Sequence, residues 1–145
     1  MASRLIDTQV SQNASSTGEL AIPLGSMPAL FGTLGLNTAS SGPSLRVHFT
    51  ATVTVSATVA VAVPISVTIF RVVEGVSTPV YQATETLPVG TAALTTAIVA
   101  VNGVDFEPLN SGFIVYQAFV NLPEGLPIAP TRVGPESFVA AAYSD

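Results

Sequence analysis

The stretch from Leu45 to Val63 alternates between two kinds of side chain. Every odd-numbered position in it is apolar, and every even-numbered position from 46 to 58 is Arg, His, Thr or Ser. Because successive side chains of a strand point to opposite faces, this pattern predicts a strand with one apolar and one hydroxyl-rich face. A helix would scatter the same residues around its circumference. Valine and threonine, which are stiff at χ1, also fit a pleated surface better than a helix.

The rest of the chain predicts further strands separated by glycine- and proline-rich turns. The run from 45 to 73 is too long for one ordinary strand, and we expect it to break near Ser56–Ala57 or at Pro64. Asn102–Gly103 has the composition of a hairpin turn. With about eight antiparallel strands and no helix, the chain is predicted to be all-β, a single jelly-roll sandwich. The other predicted strands cover residues 19–24, 77–87, 91–101, 113–122 and 136–143, with a bent strand within 25–37 and a loop at 123–135.

Charged residues make up only 9% of the chain, against about a quarter in typical globular proteins, while 48% are hydrophobic. A dispersed monomer needs surface charge to stay in solution. The composition therefore favours an oligomer in which copies of the chain cover one another. The alternative is a monomer whose surface is rich in hydroxyl groups.

The strand predicted at 113–122 is apolar on both of its faces. Phe113, Val115 and Phe119 lie on one side, and Tyr116 lies on the other with Ile114, Ala118, Val120 and Leu122. A strand of this kind has to be covered on both sides, and in a small sandwich the second cover is most easily another subunit. We therefore expect packing between subunits through Phe113, Val115, Tyr116 and Phe119.

Residues 1–18 are mostly polar and end in a run of small residues, so we divide the chain into an N-terminal arm (1–18) and a jelly-roll domain (19–145). One interpretation is a frayed tail, although Arg4 to Val10 has the composition of an edge strand. The other is a connector that adds to a neighbouring subunit, with Leu5, Ile6 and Val10 as its anchors. A Sec-type signal peptide is not expected here, because Asp7 and Gln9 interrupt the apolar core that it requires.

Several classes of function are disfavoured by the residues that are present. With no lysine and four arginines against nine acids, we expect neither nucleic acid nor a membrane surface as a partner. The only histidine, His48, is predicted to lie mid-strand as a surface or inter-subunit residue rather than in a catalytic triad. Asp105 and Glu107 are too few carboxylates for a calcium site. We therefore predict no enzyme activity, no catalytic residues, no metal and no cofactor.

The alternating Thr/Val/Ala strand, the block ALTTAIVAVNGVDFEPLNSGFIVYQAF and the final SFVAAAY strand resemble bacterial spore-surface proteins. These include the trimeric jelly-roll heads of exosporium collagen-like glycoproteins, exosporium basal-layer proteins and the subunits of endospore appendage fibres. The resemblance covers roughly residues 19–143 and implies a fold similar to tumour necrosis factor. The chain lacks the Gly-X-Y repeats of the stalked glycoproteins and the N-terminal cysteines of some appendage subunits, so any joints in a fibre are expected to be non-covalent.

Three functional hypotheses follow from these observations. The first is a self-assembling structural protein of a spore-surface fibre or layer, in which homotrimers are linked head to tail by residues 1–18, with spore-surface anchoring proteins as further partners. A head-to-tail contact of this type propagates into an open filament. The second is a viral or phage coat or decoration protein. The third is a lectin-like domain that binds a ligand on its Thr/Ser face or at the 123–135 loop.

Overall fold

The computed structural model describes residues 2–58, 62–87, 94–126 and 129–145. Within these ranges the chain contains nine strands and no helix, which confirms the predicted all-β class. The strands are β1 (Arg4–Ala14), β2 (Ile22–Pro23), β3 (Ala29–Asn37), β4 (Arg46–Thr58), β5 (Val63–Val73), β6 (Val76–Leu87), β7 (Leu94–Phe106), β8 (Phe113–Asn121) and β9 (Thr131–Ser144).

The strands form two antiparallel sheets packed face to face. The front sheet has the order β1-β9-β4-β7, with the short β2 also paired to β9, and the back sheet has the order β3-β8-β5-β6. Strands that are neighbours in sequence therefore often lie in opposite sheets, as in a jelly roll. The hydrophobic core lies between the sheets and includes Phe49, Ile69, Tyr116 and Phe138.

The long alternating run supplies one strand to each sheet. Its first part is β4, whose odd-numbered residues from Val47 to Ala57 are buried, as the alternation predicts. Its second part is β5, in the back sheet. The break falls between Thr58 and Val63, after Ser56–Ala57 and just before Pro64; residues 59–61 lie outside the described ranges.

The turn between β5 and β6 is a two-residue hairpin loop made by Glu74 and Gly75. Both residues have positive φ angles, of 50° and 80°. A type I′ turn requires this combination, and its twist matches that of the strands it joins. Glycine adopts such an angle at no steric cost, whereas glutamate does so rarely.

Two of the predicted boundaries are wrong. Asn102–Gly103 is not a turn, because β7 continues through it, paired with β4. Gly103 is instead a packing position: a Cβ there would lie 2.5 Å from Cε1 of Phe49 and 2.7 Å from Cδ2 of Tyr81. The predicted 123–135 loop ends earlier than expected, because β9 begins at Thr131.

The N-terminal segment is a strand of the chain's own sheet. β1 pairs with β9 over almost its whole length, from Arg4 opposite Ser144 to Ala14 opposite Glu136. The pairing therefore extends past Gln12 into the run of small residues that ends the predicted N-terminal arm. Side chains of β1 also reach the back sheet, since Oδ2 of Asp7 accepts a 2.8 Å hydrogen bond from the backbone N–H of Asn37.

Candidate self-association surfaces

The outer face of the front sheet, here called the front face, is built from aligned rows of paired residues. One row joins Thr8, Ala141, His48 and Val104 across the four main strands. Paired residues of neighbouring strands share a face, so the register assigns the whole surface. The front face consists of Leu5, Thr8, Val10, Gln12, Arg46, His48, Thr50, Thr52, Ile98, Ala100, Asn102, Val104, Phe106, Ser137, Val139, Ala141 and Tyr143.

The front face exposes several large apolar side chains to solvent. Val10 and Phe106 are each 71% exposed and Ile98 is 65% exposed, and Leu5, Val104 and Val139 are also exposed. Single exposed apolar residues are ordinary on protein surfaces, but several on one sheet face form a patch of the kind that marks an interaction site. The front face is therefore the strongest candidate for a covered surface.

The front face carries very little charge. Arg46 is its one charged residue, and Nη1 of Arg46 lies 3.7 Å from Oδ1 of Asp145 at the end of β9. His48 lies near the centre of the face, where its ring packs against that of Tyr143 with a centroid separation of 5.2 Å. The neighbours that the register gives His48 are Val104 and Ala141. His48 is thus a surface histidine on a strand, as predicted.

The outer face of the back sheet, here called the back face, is smaller in exposed apolar area. Phe113 is 55% exposed and Leu30 is 45% exposed, while Phe70, Val72, Val115 and Phe119 are half-buried. The back face consists of Leu30, Thr33, Gly35, Asn37, Ser66, Thr68, Phe70, Val72, Ser77, Pro79, Gln82, Thr84, Phe113, Val115, Gln117, Phe119 and Asn121. None of these residues is charged.

The aromatic side chains of the back face are held in place by their neighbours. Phe70 and Phe119 pack edge to face with ring centroids 5.3 Å apart. Phe113 lies directly over Gly35, where any larger residue would collide with its ring. These contacts give the back face a fixed shape, which lowers the entropy lost when another surface packs on it.

The residues predicted to pack between subunits separate onto the two sides of β8. Phe113, Val115 and Phe119 lie on the back face, accessible to another molecule. Tyr116 points the other way and has no exposed surface, because it forms part of the core. The prediction that Tyr116 packs against another subunit is therefore wrong, because the alternation of β8 directs its side chain into the sandwich.

The residues predicted as connector anchors also separate. Leu5 and Val10 lie on the front face, 54% and 71% exposed. Ile6 is half-buried and packs against the core. The three residues do not form one cluster, because a bulge between Leu5 and Asp7 shifts the register of β1 against β9.

Two ion pairs lie inside the sandwich, the first partly buried and the second buried, and neither pairing was predicted from the sequence. Nη1 of Arg71 lies 2.9 and 2.8 Å from the two carboxylate oxygens of Asp105. Arg132 binds Glu136 through two hydrogen bonds of 2.6 Å, and the amide of Asn13 donates a further 2.8 Å bond to the same carboxylate. A sequence signal for the second pair existed: Arg132 and Glu136 carry opposite charges four positions apart, and both occupy the buried even positions of β9 together with Phe138.

The structure separates the two acids that were considered as a weak cation site. Asp105 is buried and paired with Arg71, whereas Glu107 is exposed beyond the end of β7. The described residues contain no group of three or more His, Cys, Asp or Glu side chains placed to hold a metal ion.

A shallow depression of about 210 Å³ lies at the loop that the sequence suggested for ligand binding. It is below the range of about 300–1,000 Å³ that is usual for small-molecule pockets. Its lining includes Leu24, Leu122, Glu124 and Leu126.

The part of the chain that the structure describes contains no helix of the length and hydropathy needed to span a membrane.

Comparison with known proteins identifies the fold of this chain but does not assign it to a family. No protein-family model matches the chain, and no curated protein sequence matches it. Among solved structures, the chain is similar to Eiger TNF from S. frugiperda, with a TM-score of 0.52 and 11% sequence identity. The alignment covers 93% of this chain and 91% of that one. The fold is therefore a jelly roll of the tumour-necrosis-factor type.

Proposed function

We propose that this protein is a structural subunit that assembles with copies of itself through its front face. The observation that carries this proposal is the combination of six exposed large apolar side chains and one charged residue on a single sheet face. Removal of such a surface from water is favourable, by about 25 cal/mol for each Å² of apolar area that is buried. With so little charge to desolvate, a second copy can cover it at low electrostatic cost.

The number of subunits and the location are proposed from the resemblance to spore-surface proteins. The trimeric heads in that group support a homotrimer, and the fibre subunits and basal-layer proteins support a role in a spore-surface fibre or layer. Spore-surface anchoring proteins are then the further partners. The shortage of cations supports the view that nucleic acid is not a partner.

The head-to-tail link between trimers is proposed for β1. In the single chain β1 pairs with β9, so a link requires β1 to leave its own sheet and pair with β9 of another trimer. The strand is suited to such an exchange because it contributes little to the core: Ala14 is its one buried residue. The turn after it contains Ser15, Ser16, Thr17 and Gly18, small residues that permit a change of direction.

Sedimentation of the purified full chain over a wide range of dilution tests the proposal. We expect a species of three times the chain mass, which dissociates when Val104 or Ile98 is replaced by glutamate. Met27→Glu is the matched control, because Met27 is 82% exposed, lies outside both faces and gives the same change in net charge. A chain that remains a monomer at every concentration would contradict the proposal.

A further inference from the structure

We infer that the back face is a second self-association surface, through which trimers join side by side. This inference rests on the proposed function, because it concerns what happens after the front faces have been covered. The two faces lie on opposite sides of one sandwich. A trimer that buries its front faces around its axis therefore presents its three back faces outward.

The absence of charge on the back face indicates what can cover it. Its seventeen residues include no Asp, Glu, Lys or Arg, although the chain has a net charge of −5. A partner that relied on charge complementarity would gain nothing there. A second copy of the same face meets it without like-charge repulsion, which elsewhere on this acidic molecule would oppose association.

The charged residues nearest to this surface lie at its edge or on the other side of its strands. Asp7 binds the backbone N–H of Asn37 at the β3 edge, and Glu85 of β6 pairs with Ile65, whose side chain is in the core.

Arg71 points from β5 into the sandwich and is neutralised there by Asp105. Glu74 is in the β5–β6 turn, Glu124 in the loop after β8, and Glu107 beyond the end of β7. Two back faces can approach each other while these acids stay at the ends of the strands, where water and counter-ions screen them.

The size of the back face is sufficient for a specific contact. Four strands spaced 4.8 Å apart and about nine residues long, at 3.3 Å per residue, cover roughly 570 Å². Two such faces bury on the order of 1,100 Å², which exceeds the ~1,000 Å² expected of a biological interface. The phenyl groups supply anchors, with Phe113 at one end of β8 and the Phe70–Phe119 pair at the other.

The geometry also predicts the form of the assembly. A contact between identical faces is isologous and has two-fold symmetry. Three outward faces per trimer, each joined to another trimer across a two-fold axis, generate an open net in which every trimer has three neighbours. The back face thus favours growth into a layer, in directions different from the head-to-tail link proposed for β1.

The test compares four versions of the full chain by sedimentation velocity and electron microscopy over a range of concentration. We expect wild type and Met27→Glu to form trimers that associate further into nets. Phe113→Glu should form trimers and the unbranched filaments of the β1 link but no nets, or should need about tenfold higher concentration to form nets. Leu30→Glu places the same charge on another strand of the back face and should behave like Phe113→Glu. Circular dichroism and a thermal melt establish that each variant is folded.

The outcomes separate this inference from the proposed function. Discrete wild-type trimers at all concentrations would overturn both the back-face contact and the β1 link, and would leave the front-face trimer standing. Nets formed equally well by Phe113→Glu and Leu30→Glu would also overturn it, because the contact would then lie elsewhere. Wild-type monomers throughout would overturn both.

Discussion

The hydroxyl of Tyr116 donates a 2.7 Å hydrogen bond to Oδ2 of Asp105 in the interior of the sandwich. The two residues belong to different sheets, Tyr116 to β8 at the back and Asp105 to β7 at the front. Arg71 of β5 binds the same carboxylate from the back sheet. A polar cluster therefore joins the two layers, and all of its members have partners, as low-dielectric surroundings require.

Replacement of Tyr116 by phenylalanine should change how the stability depends on alkaline pH. Burial and the adjacent Asp105 carboxylate raise the pKa of Tyr116 well above its ordinary value. The unfolded chain loses the phenol proton near pH 10, whereas the folded chain keeps it, so deprotonation favours unfolding above that pH. Titration of Tyr116 should therefore not change the stability below pH 10, and above pH 10 it should lower the free energy of unfolding by up to about 1.4 kcal/mol per pH unit.

Urea unfolding at pH 8, 10 and 11.5 measures this effect. Tyr116→Phe should lose about 1–2 kcal/mol at pH 8, from the missing hydrogen bond, and then decline less steeply than wild type. Tyr143→Phe, which removes a hydroxyl from the front face, is the control for the loss of a tyrosine. Parallel declines in wild type and Tyr116→Phe would show that Tyr116 is not the group responsible.

Removal of one charge from the Arg132–Glu136 pair should lower the free energy of unfolding more than removal of both charges. Glu136 is fully buried, so Glu136→Gln leaves the guanidinium of Arg132 uncompensated and should cost about 3–5 kcal/mol. Arg132→Met combined with Glu136→Leu removes both charges and should cost much less. Thermal melts and urea midpoints give the two values, and a double variant less stable than Glu136→Gln would contradict the argument.

Gly103→Ala should destabilise the protein although glycine to alanine usually stabilises a strand. The new methyl group would meet the rings of Phe49 and Tyr81, at a cost of about 1–3 kcal/mol. Gly25→Ala is the matched control, because a Cβ there has no atom within 4 Å. Equal unfolding midpoints for the two variants would mean that the rings move aside freely.

Deletion of residues 2–14 should preserve trimers and abolish filaments. Val104, Phe106 and Ile98 remain on the front face, so the trimer contact persists, weakened by the loss of Leu5 and Val10. Sedimentation reports the trimers and electron microscopy the filaments. The variant Leu5→Thr with Val10→Thr keeps β1 and is the control for the loss of these two front-face side chains from the trimer contact. Filaments of normal length from the truncated chain would end the connector hypothesis.

The sequence by itself determined the all-β class and the inner and outer sides of the strands. Alternation is local: once Val47 points inward, His48 has to point outward, whatever the strand pairs with. The same reasoning correctly separated Phe113, Val115 and Phe119 from the opposite side of β8. The shortage of charged residues also indicated that a single chain would leave apolar surface exposed to solvent.

The tertiary structure decided everything that depends on which strands are neighbours. The turn-like pair Asn102–Gly103 became mid-strand because Phe49 and Tyr81 pack against the glycine from elsewhere in the chain. Tyr116, which was predicted to pack between subunits, is a core residue because its side chain points toward Asp105 in the opposite sheet. The front face exists only when β1, β9, β4 and β7 align, since residues as distant as Leu5 and Phe106 share a row through long-range register that no local pattern encodes.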